Sequence, residues 1–244
     1  MKVLYFDCFS GISGDMVIGA LIDAGGDIVH LENELKKLKM EDEYELKVAK
    51  VVKNGITSTK FDVLLTDGNH HDHHHRSYKH IVEMIQKAKF SERAEKIALK
   101  IFEKIGVAEG KIHGVPLEDV HFHEVGAVDS IIDIVGAAIL LDLLNPDSIQ
   151  SSSVPVGSGK IRIEHGIYPV PAPATLEILR GVPIAASDVK GELATPTGAA
   201  IVAALANSFG TMPSMTVEQI GYGAGTKTFS SHPNILRVMI GEKL

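Results

Sequence analysis

The chain has 244 residues, 45% of them hydrophobic and 23% charged, enough apolar material for a substantial core in one large domain or two small ones, which makes disorder a poor reading. Its formal charge of -7 comes with no dense Lys/Arg block, so a nucleic-acid footprint is missing and the expected partners are small molecules, metals or protein. The only cysteine, Cys8, excludes an internal disulfide, and MKVLYFDCFSG lacks the basic and apolar regions of a signal peptide, so a cytoplasmic protein is expected.

The run KVLYF (2–6) predicts a strand. After the Gly/Ser loop 7–14, Met16, Val17, Ala20, Leu21 and Ala24 recur at helical spacing until Gly25-Gly26. Between 45 and 66, two alternating segments flank Asn54-Gly55, the pattern of a β-hairpin. It leads into NHHDHHHRSYKH (69–80), where six of twelve residues are histidine. This run has no apolar periodicity and packs its ligands too densely to imply one geometry, so a disordered, metal-collecting loop through His70, His71, His73, His74 and His75 is expected. A solvated loop with no metal role is the bland alternative.

Helices are predicted over 78–87 and 91–105, the second with Ser91 as N-cap. The apolar run 131–144 is interrupted by Asp133 and Asp142 and is shorter than the roughly 20 residues that span a bilayer, so it reads as a core helix and not a membrane segment. Strands follow around 149–156 and 159–163, then a Pro-rich segment, two short helices, and strands over 216–222 and 235–241. Strands and helices mix without a regular βαβ repeat, which favours α+β over a doubly wound sheet, with a subdomain boundary near 146.

Five stretches are candidates to carry chemistry. In DCFSGISGDM, Asp7 ends a strand and Asp15 opens a helix whose free N–H groups favour an anion, although the glycines can equally serve a tight turn alone. In VHFHE, an extended backbone puts His121 and His123 on one side, as a pair able to chelate a borderline transition metal, with Glu124 beside them. Asp129 and Asp133, four apart in a very apolar helix, share a face and would be costly to bury without a cation, unless that face is solvated. EHGIYPVPAPAT reads as a proline-stiffened arm able to line a pocket with His165 and Tyr168, or as a plain connector.

GELATPTG places Thr195 as N-cap and Pro196 at the first helical position, leaving Thr197 and Gly198 at an unobstructed helix start with Glu192 just outside. A tightly packed, well-capped helix would look the same. Alternating glycines in IGYGAGTK fail the Walker pattern and more often mark a bulge or close packing. No Ser-His-Asp pattern is apparent, so nucleophilic catalysis is a poor expectation.

In order along the chain, YFDCFSGISGDMVIGALIDAG, HFHEVGAVDSIIDIVGA, HGIYPVPAPAT, GELATPTGAAIV and IGYGAGTK resemble the LarC family of nickel-insertion proteins. The resemblance implies a CTP-dependent cyclometallase, a lyase-class nickel chelatase, that inserts nickel into pyridinium-3,5-bisthiocarboxylic acid mononucleotide. The product is the nickel pincer cofactor of lactate racemase-type enzymes, held by two sulfurs and a ring carbon. Family members continue beyond the matched region, and the resemblance implies that CTP with its magnesium or manganese ion binds in that C-terminal part. A C-terminal half and a homo-oligomer are accordingly expected as partners.

Residue chemistry, not the resemblance, suggests the roles. His121, His123, Glu124 and Asp129 would hold or pass nickel. Asp7, Ser10, Ser13 and Asp15, with the helix start at Thr195, Thr197 and Gly198, would receive the mononucleotide phosphate or an associated metal. His165 or Glu192 would remove the ring proton. The rival readings are a non-catalytic nickel chaperone or store acting through the histidine run, and a metal-dependent phosphohydrolase.

Overall fold

The computed structural model describes residues 1–66, 76–122, 125–163 and 166–244. The fold is α+β, as the mixed pattern predicts: helices pack against a mixed seven-stranded sheet. In chain order the main elements are β1 (Lys2–Asp7), α1 (Gly14–Asp23), α2 (Ile28–Leu35), β2 (Tyr44–Lys53), β3 (Ile56–Leu65), α3 (Tyr78–Ala88), α4 (Glu92–His113) and α5 (Val128–Leu144). They continue with β4 (Ser148–Ser151), α6 (Pro173–Ile178), α7 (Pro196–Leu205), β5 (Ser208–Phe209), β6 (Met215–Ala224) and β7 (Ile235–Lys243). The sheet order is β5-β4-β1-β7-β6-β3-β2, so strands from both sides of Pro146 share one sheet.

The central strand β1 is parallel to β4 and antiparallel to β7, with Leu4 opposite Ile240 and Phe6 opposite Val238. These four side chains are buried almost completely. The β2–β3 hairpin forms around Asn54 and Gly55, both at positive φ, as the Asn-Gly turn requires. β6 joins it to the rest of the sheet through a parallel pairing at Gly223 and Thr59.

Helix α1 lies on the sheet close enough to exclude side chains beneath it. A Cβ on Gly221 would stand 2.0 Å from the Ala20 carbonyl oxygen, and one on Gly223 would stand 1.8 Å from that of Met16. The alternating glycines of IGYGAGTK therefore serve close packing. Helix α5 packs behind α1 and is almost entirely buried, including Ile131, Ile132, Val135, Ala138 and Leu140. It ends at Asn145 in the left-handed region.

Two elements depart from the sequence expectation. Helix α2, capped by Asp27 through the amides of Val29 and His30, has only Leu31 and Leu35 buried and so too weak an apolar stripe to stand out. Helix α4 runs on past 105 to His113 because Gly106 and Gly110 are buried against their neighbours, packing that overrides the low helix propensity of glycine. Among the described residues no helix is long and apolar enough to cross a membrane.

Replacing Gly223 by alanine is expected to destabilise the chain by about 3 kcal/mol, because the clash is with helix backbone that cannot rotate away. The shift of the urea unfolding midpoint measures it.

Candidate functional site: an acidic cavity at three helix starts

Backbone pairing assembles the site. The loop between β1 and α1 runs against the segment entering α7: the Ile12 amide donates to the Leu193 carbonyl at 2.9 Å, and the Thr195 amide donates to the Ile12 carbonyl at 3.1 Å. Glycine permits the approach. Gly11 has φ +94° and its Cβ would lie 2.0 Å from the Leu193 oxygen, while a Cβ on Gly198 would lie 2.2 Å from the Ile12 oxygen. The starts of α1 and α7 are thereby held side by side, and the first turn of α5 closes the third side.

Between them lies a cavity of about 410 Å³. Its walls include Ser13, Gly14 and Asp15 from α1, Val125, Asp129, Ser130 and Asp133 from α5 and its approach, and Thr195, Pro196 and Thr197 from α7. Lys60 to Val63 of β3, Glu192 and Thr226 complete it. Three helix N-termini thus contribute partial positive charge to one space. Of the three, α7 is capped by a side chain, Thr195 Oγ1 accepting from the Gly198 amide at 3.2 Å. At α1 the Ser13 hydroxyl donates instead to Asp15, and Ala127 before α5 offers no cap.

The electrostatics centre on Lys60, whose ammonium donates to Asp15 Oδ2 at 2.7 Å and to the Phe61 carbonyl at 3.0 Å, and is 2.7 Å from Asp62 Oδ1. Burial works against the Lys60 ammonium, but Asp15 and Asp62 outweigh it and hold its pKa above the ordinary value. Asp133 has no such partner. The residue keeps some contact with the cavity, yet its Oδ1 is buried with no hydrogen-bond partner. Its Oδ2 lies so near Gly14 that a Cβ there would come within 2.5 Å. Burial, and then the charges of Asp15 and Asp129, push the Asp133 carboxyl well above the usual range, with Lys60 pulling the other way.

The sequence-nominated residues divide three ways. Asp15, Ser13, Asp129, Glu192, Thr195 and Thr197 meet at the cavity. Asp7, Ser10, Gly198 and His121 do not line it. Asp7 accepts from Arg237 at 2.5 and 3.0 Å, Ser10 donates to the Pro233 carbonyl at 2.5 Å, and the Gly198 amide serves the α7 cap. His121 is exposed and bridges to Ser77. Tyr168 of the Pro-rich stretch is also absent from the wall. His123, Glu124, His165, and the run with His70, His71, His73, His74 and His75 lie outside the described residues.

Anchor points around that run are nevertheless clear. Arg76, immediately after it, accepts at its carbonyl from the Phe122 amide at 3.3 Å, and the Tyr78 amide donates to the Val120 carbonyl at 2.9 Å. Arg76 and Tyr78 are thereby held against Val120 and Phe122, and Val125, the residue after HFHE, lines the cavity. Cys8 plays no nucleophilic part: burial pushes its thiol up to about 12.

Lys60 and Asp62 were missed by sequence reasoning. The available signal was the alternation around buried Phe61, which puts Lys60 and Asp62 together on the opposite face of the strand. Such a face is ordinarily solvated, and only the placement of α1 makes it a cavity wall.

Fold and cavity together define an α+β protein with an acidic pocket rimmed by helix starts. The chain belongs to the nickel insertion protein family, whose model matches residues 4–244. It is 55% identical, over its whole length and 60% of the relative's, to the pyridinium-3,5-bisthiocarboxylic acid mononucleotide nickel insertion protein of Geobacillus kaustophilus. It is 51% identical to the protein of that name from Staphylococcus epidermidis, over 98% of this chain and 59% of the relative. The Desulfitobacterium hafniense protein of the same name is 50% identical over 99% of this chain and 59% of the relative. The chain thus spans about three fifths of the length of these relatives, and no solved structure matches it.

The buried carboxyl gives a pH signature. In the unfolded chain Asp133 ionises near pH 4, whereas the folded chain holds the proton to higher pH, so this group costs stability as pH rises towards its folded value. The melting-temperature gain of Asp133→Asn over the parent is expected to grow as pH rises from about 4 towards the folded value, by about 3 °C or more. Calorimetry across that range checks it, and a gain independent of pH contradicts it.

Proposed function

We propose that this chain carries the insertion site for nickel in pyridinium-3,5-bisthiocarboxylic acid mononucleotide, the step that makes the nickel pincer cofactor of lactate racemase-type enzymes. One observation carries the reading: four of the five ordered stretches quoted above place described residues at one cavity that joins helix N-termini with carboxylates. Nickel and a phosphate-bearing substrate ask for such a pairing, since the helix starts attract the anion and the carboxylates the cation.

In this reading the phosphate sits at the uncapped start of α1, within reach of Ser13 and the Thr195 and Thr197 hydroxyls. Nickel, a substrate of the reaction, is collected by the histidine run and passed along His121, His123 and Glu124 to Asp129. The stitching of Arg76 to Phe122 supports that route, because it ties the run's exit to the HFHE stretch. Forming the nickel–carbon bond releases the ring proton, which Glu192 or His165 accepts. CTP with magnesium or manganese belongs to a C-terminal half, so the lyase-class activity is expected from the two parts together, in the cytoplasm and as a homo-oligomer.

The test mixes this chain with a matching C-terminal half, CTP, a divalent ion, nickel and the thiolated mononucleotide, and follows cofactor formation. Product is expected, and its absence when an authentic full-length relative succeeds would refute the reading. Asp129→Asn and Glu192→Gln are each expected to slow product formation by about tenfold or more with unchanged circular dichroism. Deleting residues 70–75 should lose nickel buffering while leaving product formation at high nickel intact. Loss of everything on that deletion would instead favour a nickel store.

A further inference from the structure

The cavity has more negative charge than its described walls can neutralise. Asp15, Asp62, Asp129 and Asp133 line it, and Lys60 is the single cationic side chain among the described lining residues. Lys60 is committed to Asp15, Asp62 and a carbonyl. It leaves Asp133 Oδ1 buried and unpartnered. An unpartnered carboxyl oxygen enclosed by protein, on a residue that lines a polar cavity, asks for a ligand that supplies positive charge or a donor.

The donor set limits what that ligand is. Among the described residues no three His, Cys, Asp or Glu side chains are arranged to cage an ion. A hard divalent cation of the magnesium kind needs no cage: it takes one or two carboxylates and fills its remaining positions with water and phosphate oxygens. Asp133 and Asp15 suit this. The Asp133 carboxyl rests against Gly14, the residue preceding Asp15, with no room for a side chain between, and the uncapped start of α1 offers amides to an anion alongside.

We propose that the cavity binds a hard divalent cation, magnesium or manganese in kind and separate from the nickel being inserted, on Asp133 and Asp15, next to the phosphate of the bound mononucleotide. The adjoining phosphate rests on the functional reading above. The cation itself rests on the cavity. Lys60 is a positioning residue in this scheme: its ammonium partly neutralises Asp15 and Asp62 in the metal-free chain and competes with the incoming ion.

The experiment uses the whole chain with magnesium chloride as probe, since imidazoles of the histidine run are poor ligands for magnesium. Melting temperature is followed against magnesium concentration, alone and with inorganic phosphate, for the parent, Asp133→Asn and Lys60→Met. The parent is expected to be stabilised by millimolar magnesium, and further with phosphate present. Asp133→Asn should weaken the apparent magnesium affinity by about tenfold or more with circular dichroism unchanged. Lys60→Met should melt lower without magnesium and bind it roughly tenfold more tightly, because the competing ammonium is gone. A parent and Lys60→Met that both ignore magnesium, or an Asp133→Asn that responds like the parent, would overturn the proposal. The two readings fail separately. Cofactor formation without a magnesium response overturns the cation site alone, and a magnesium response confined to chains with Asp133 supports it even where no cofactor forms.

Discussion

The close approach of two backbones, the loop entering α1 and the segment entering α7, underlies everything at the cavity. Each partner gives up a side chain to make it, at Gly11 and Gly198, and each gains hydrogen bonds for amides and carbonyls that a glycine-rich loop would otherwise leave to water. The result is rigid, since the contact is between main chains and has no rotamers to rearrange. Two helix starts are fixed within one wall, and α5, buried behind α1, supplies the third. Similar close packing repeats where α1 crosses β6, so the helix bearing Ser13 and Asp15 is constrained at both its loop and its underside.

Against that rigid frame, charge is left unbalanced. Most of the chain's polar groups near the site find partners within it: Asp7 with Arg237, Ser10 with Pro233, Ser13 with Asp15, Lys60 with two carboxylates. Asp133 Oδ1 does not. A fold selected only for stability would place an apolar residue there, at little cost to the packing of α5. The retained carboxyl is the point at which stability and ligand binding pull apart, a local inconsistency of the kind expected where a site does chemistry.

Much of this was legible beforehand. The Asn-Gly hairpin, the capped start of α4 at Ser91 and the apolar α5 rest on local patterns that tertiary context did not override. Asp129 and Asp133 stood out because two carboxylates on one face of so apolar a helix are anomalous. The nominations that fell away from the cavity, Asp7, Ser10 and Gly198, share another property: each sits in a stretch rich in candidate features, where one-dimensional spacing cannot tell which side chain faces inward and which is spent on a neighbour. Lys60 and Asp62 were invisible for the opposite reason, being an ordinary polar face of an ordinary strand.

The sequence by itself determined most of the elements, the family and the chemistry on offer, because periodicity, turn residues and ordered motifs are local properties of the chain. Tertiary structure alone decided which of those groups share a space. Residues 15, 60, 129, 133 and 192 come from four separate stretches of the chain, and they meet because glycines let backbones touch and the sheet carries β3 beneath the start of α1. Tertiary structure likewise decided that one carboxyl oxygen would be buried without a partner, since desolvation depends on what folds over a group and not on its neighbours in sequence.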